Sequence, residues 1–183
     1  MTANPAKRKP FPTSRGAEFG TLQPVFDDIA WAWGTTRFGP GATFPRNMTL
    51  VREGESVVAV HPVMLPDAEQ AKVDAFGPIR HIVRLGDFHG MDDALYKERY
   101  GAQLWAPADM TNESGITFDR TLATGAPTPF ADGTLYSFDV AKVPETIVHL
   151  RRHGGILLTC DSVQNWSERP GGCSFLGWIM AKA

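Results

Sequence analysis

Between Ile82 and Pro107 the chain reads IVRLGDFHGMDDALYKERYGAQLWAP, and this stretch restricts the fold more than any other. The apolar pair Ile82 and Val83 reads as the end of a buried strand. A polar loop follows, carrying Asp87, His89, Asp92 and Asp93. The segment ALYKERY then has the composition of a helix, stopped at Gly101 as a C-cap glycine stops one, and QLWAP opens a new strand.

The rest of the chain supplies hairpins on either side of this unit. IAWAWG alternates so as to put Trp31 and Trp33 on one face of a strand. FGPGATFPRN offers turn chemistry before the next strand, and strands are expected at Met48 to Arg52 and Ser56 to His61 around the turn EGE. PDAEQAKVDAF reads as a helix, with Pro66 in its first turn, Asp67 and Glu69 near the positive end of its dipole, and a stop at Gly77-Pro78. Further strands are expected at His81 to Leu85, Gln103 to Trp105, Thr134 to Phe138, Glu145 to Leu150 and Gly155 to Thr159. There is no internal repeat, so the expected organisation is a flexible arm over residues 1–16 and one domain over 17–183.

Composition excludes several classes of function. A chain of 183 residues with 43% hydrophobic and 21% charged residues can build one ordinary core. A net charge of -2 gives no reason to expect nucleic acid or an anionic membrane as partner. No apolar run approaches the roughly 20 residues that a membrane span requires. The basic N-terminal stretch MTANPAKRKPFPTSR lacks the apolar core of a secretory signal. Cys160 and Cys173 do not make a disulfide framework, and both are expected reduced, in a cytoplasmic protein. The sequence contains no G-x-S-x-G, P-loop, G-x-G-x-x-G, CxxC or HExxH motif.

The segment from Ile82 resembles the metallo-β-lactamase superfamily, whose members carry a TH-x-H-x-DH loop after such a strand, then a helix ending "lkeryG" and a strand "apvyap". Laying Gly101 on that glycine puts His89 on the last His of the motif and Arg84, Gly86 and Phe88 on earlier ligand positions. HGGILLTCDSVQNW resembles the family's "ggvLltGDslf", which makes Asp161 a second retained position. VPETIVHL sits where the family has "HTPGSvvl", so Pro144 matches its proline and Lys142 takes the place of a further zinc-binding His. NMTLVREGESVVAVHPVML matches the opening strands, with His61 where the fold usually has Asp.

The resemblance implies an α/β protein of α+β type, the metallo-β-lactamase-like αββα four-layer sandwich. Because the chain ends soon after Asp161, the sandwich is expected to be truncated at its C-terminus. The apolar tail FLGWIM would suit a homo-oligomeric contact there.

Two functions remain open at this point. In one, most metal ligands are lost and the protein is not a canonical binuclear zinc hydrolase. Its cleft, lined by Arg84, Phe88, His89, Lys142 and Asp161 with aromatics such as Trp105 or Trp166, would hold a small anionic ligand through the two cations. In the other, His89 and Asp161 hold zinc or another divalent metal with a third ligand from Asp87, Asp92, Glu145 or Cys160. The protein would then be a mononuclear hydrolase of an ester, thioester, amide or phosphoester. Against a metal role, Cys160 reads as a small buried hydrophobe, and Asp92 or Asp93 as first-turn helix anions.

Overall fold

The computed structural model describes residues 18–87, 89–108, 110, 115–138, 145–164 and 166–182. Strands β1 (Gln23–Phe26), β2 (Ile29–Gly39), β3 (Ala42–Glu53) and β4 (Ser56–Val60) form an antiparallel meander. Strands β5 (Ile79–Val83), β6 (Gln103–Pro107) and β7 (Arg120–Leu122) extend it in parallel, giving one seven-stranded sheet in chain order. Helices α1 (Asp67–Phe76) and α2 (Asp93–Tyr100) make the crossovers that parallel neighbours need. Strands β8 (Gly133–Ser137), β9 (Thr146–Leu150) and β10 (Ile156–Leu158) form a smaller antiparallel sheet, with β10 and β8 at its edges.

The alternation of side chains across β4 explains the layering. Val57 and Ala59 face one core with Val73 of α1 and Tyr96 of α2, whereas Val58 and Val60 face a second core with Val148, Leu150 and Leu158 of the smaller sheet. A strand covered on both faces needs apolar residues at every position, which is why SVVAV shows no period of two. Strand β2 follows the same parity: Ala30 and Ala32 point to the helices, and Ile29 points to the second sheet. Trp31 and Trp33 continue the row that Ile29 begins, and they are only partly buried. The small sheet stops at β10 and leaves that end of the inner face open.

The helix ends follow the sequence closely. Pro66 sits at the N-cap of α1, and its carbonyl accepts the Gln70 N–H at 2.8 Å. Gly101 closes α2 in the left-handed region at φ 61°, donating its N–H to the Lys97 carbonyl at 2.9 Å.

Two expectations are corrected, and two strands are added. The turn read into FGPGATFPRN is only the tight connection around Pro40 and Gly41, because β3 starts at Ala42 and pairs Phe44 with Thr36 and Pro45 with Thr35. Strands β1 and β7 were not anticipated. The fourth layer of the sandwich is not found among the described residues: helix α3 (Phe175–Lys182) packs on β3 instead of covering the smaller sheet. Gly177 permits that contact, since a Cβ there would lie 2.4 Å from the Thr43 carbonyl oxygen. Among the described residues no helix is long and apolar enough to cross a membrane.

Candidate functional site

Strands β4 and β5 run parallel, so both deliver their following residues to the same edge of the sheet, and β10 of the second sheet ends beside them. Thr146 donates its N–H to the Leu85 carbonyl at 2.8 Å, and Gly86 bridges to Glu145, which ties the loop after β5 to the start of β9. His61 comes from the end of β4, His89 from the loop after β5, and Cys160 with Asp161 from the end of β10. One donor atom from each of His61, His89 and Cys160 lies within 4.8 Å of the other two.

His89 and Asp161, 72 residues apart in sequence, meet with Nε2 and Oδ2 3.2 Å apart. That contact, the largest cause, holds the Asp161 carboxyl below its usual range, and Gln164 adds a hydrogen bond from Nε2 to Oδ1 at 2.7 Å. The Gln164 carbonyl accepts the indole N–H of Trp166, so the carboxylate also fixes that ring.

His61 was noted in the sequence only as a departure from the family's Asp, and the structure gives it a central place. It stands at φ 50°, and its ring stacks on His89 with centroids 5.0 Å apart. Its Nε2 accepts the Leu85 N–H at 2.8 Å. A backbone amide can only donate, so Nε2 is bare and the neutral ring carries its proton on Nδ1. Burial, followed by the nearby His89, Arg46 and Arg84, pushes its pKa well below the ordinary histidine value. A histidine closing an apolar strand, VVAVH, was the available signal.

Cys160 is shaped to Gly86. A Cβ at position 86 would lie 2.5 Å from its Sγ, so the thiol fills the space that a second histidine of the resembled motif would need. Burial, then the charges of Asp161, Glu145 and Asp87, push the thiol pKa up, and it stays protonated in the absence of a cation.

The remaining candidates are placed differently. Arg84 does not line the cleft: its guanidinium is buried against Asp93, with Nη2 and Oδ2 2.7 Å apart, beneath Gly90 and over the Phe118 ring. Asp92 is equally committed, since Oδ2 takes Arg46 Nη1 at 2.8 Å and the Met64 N–H at 3.1 Å, which removes it from the set of third ligands. Asp87 is buried, and Glu145 uses Oε1 to accept the Ser162 N–H at 2.8 Å. Trp105 donates to His81 Nδ1 at 3.1 Å and lies outside the cleft lining, whereas Trp166 is part of it. Phe88 and Lys142 lie outside the described residues.

These groups sit at one end of a groove of about 1110 Å³ whose walls include Trp31, Trp33, Phe38, Phe44 and Trp166. No protein-family model and no curated protein matches the sequence. Solved structures do match. VMB-1 at pH 5.5 superimposes with TM-score 0.66 and 13% identity, over 91% of this chain and 82% of that one. The metallo-β-lactamase IND-7 gives TM-score 0.63 and 13% identity, over 91% and 84%. FIM-1 from Pseudomonas aeruginosa, in its mono-zinc form, gives 0.59 and 17%, over 88% and 79%. At these identities the likeness is one of backbone path, and the chain has the metallo-β-lactamase fold in a sequence-divergent form.

Proposed function

We propose that this protein is a single-ion member of its fold, a non-canonical metal-dependent hydrolase rather than a binuclear zinc enzyme. The observation that carries the proposal is the convergence of His61, His89 and Cys160 to within 4.8 Å, with Asp161 against His89. Imidazole, thiolate and carboxylate are the donor types of catalytic zinc sites, which use three protein ligands and keep one position open. His61, His89 and Cys160 fill those three places, with Asp161 holding His89 from outside the triad. His61 ligates in the tautomer that releases the Leu85 amide, and without an ion it holds the loop after β5 in position and stacks on His89.

A bound divalent ion would act as a Lewis acid on an ester, thioester, amide or phosphoester. The protein's own residues orient and enclose the site. Gln164 keeps the Asp161 carboxylate turned toward His89, and the groove opens directly beside the site. Three nearby carboxylates that disfavour a bare thiolate are compatible with a thiolate facing a cation. The anion-holding reading depended on Arg84 and Lys142. The first is matched by Asp93, and the second lies outside the described residues.

Elemental analysis of protein purified without an affinity tag tests the proposal. About one zinc, iron or manganese per chain is expected. His89→Ala and Cys160→Ser should each lower that content at least severalfold while keeping the parent far-UV circular dichroism. Two ions per chain, or a protein that stays empty after exposure to zinc, overturns it.

A further inference from the structure

The groove is a product of the layering. The small sheet ends at β10, so the inner face of β2 and β3 beyond Ile29 and Val51 is not covered, and Trp31 and Trp33 lie on its open part. Trp166 closes it from the loop after β10, standing perpendicular to Phe44 with centroids 6.4 Å apart. Aromatic faces carry negative electrostatic potential and attract cations.

The charges in the groove point the same way. Among its described lining residues the Lys, Arg, Asp and Glu side chains are Arg46 and Asp161. Arg46 is 5% exposed and paired to Asp92, so it presents no unmatched charge. Asp161 meets His89, which offsets its charge only when that imidazole is protonated, and its own side chain is 52% exposed. The link from Asp161 through Gln164 to the Trp166 indole fixes carboxylate and aromatic wall relative to each other.

We propose that the groove binds an organic cation, a substituted ammonium whose charged head lies between the aromatic wall and Asp161 and whose apolar body lies along Trp31 and Trp33. This reverses the ligand charge expected from Arg84 and Lys142 in the sequence. It names the substrate class of the centre proposed above and rests on that reading for turnover, whereas binding requires only the groove.

Isothermal titration of the protein as purified, with benzyltrimethylammonium, its neutral carbon isostere neopentylbenzene and the anion phenylacetate, tests this. The ammonium is expected to bind about tenfold more tightly than either competitor. Trp166→Leu and Trp31→Leu should each weaken it severalfold while retaining the parent's metal content, so that failure here is distinguishable from failure of the metal reading. Equal or tighter binding of the neutral or anionic probe, or no saturable binding of the ammonium, overturns the proposal. Unchanged affinity in both tryptophan variants overturns it as well.

Discussion

Asp92 and Asp93 are adjacent, yet each neutralises a different buried arginine, Arg46 of β3 and Arg84 after β5. Removing one member of such a pair leaves a buried charge without its counter-ion, at a cost of about 3–5 kcal/mol. Asp93→Ala is therefore expected to lower the urea midpoint sharply. The double variant Arg84→Met/Asp93→Leu should recover most of the loss, because apolar residues of similar volume replace buried pairs without that penalty. Gly86 obeys a steric rule instead. Gly86→Ala brings a methyl to 2.5 Å from Cys160 Sγ and should cost ~1–3 kcal/mol. Adding Cys160→Ala should return part of this, which thermal unfolding of the single and double variants can measure.

At the level of elements, what the sequence revealed depended on whether a segment's burial matched its period. The strand, helix and strand from Ile79 to Pro107 were legible because apolar runs and the Gly101 cap agree. Strand β1 is exposed along its whole length, and β7 buries only Leu122, so neither leaves a pattern. Helix α3 is inverted: Phe175, Leu176, Ile179 and Met180 are exposed and small Gly177 makes the contact, so amphipathicity gives no guide. Gly177→Ala should lift α3 from β3, detectable as a change in Trp178 emission with little change elsewhere. At the site, His89 and Asp161 were found through motif positions. Cys160 was one of four possible third ligands and His61 only a departure from the family's Asp, because their proximity depends on where β4 and β10 end. Arg84 was misread for the same reason, since nothing local to it reveals that Asp93 turns back to meet it.

At the level of the molecule, Arg152 fastens the smaller sheet to the ends of two hairpins. It contacts Asp132 beside β8, Asp28 between β1 and β2, and Glu53 at the end of β3, at 2.6, 3.1 and 2.6 Å. The Arg152 guanidinium lowers the Asp132 pKa to about 2. The unfolded carboxyl titrates near 3.9, so this contribution to stability is whole above about pH 4 and is lost as pH falls toward 2. Equilibrium unfolding should show that acid-dependent loss in the parent, and Arg152→Met should flatten it while lowering stability at neutral pH.

The junction at the opposite side of the layers has a kinetic meaning. His89 belongs to the large sheet, Cys160 and Asp161 to the small one, and the Leu85–Thr146 bond stitches the two beside them. Anything gripped by His89 and Cys160 together is a rivet through both layers. Its escape and the parting of the sheets then become competing routes out of one state, and a cargo held tightly enough would leave no faster than the layers separate.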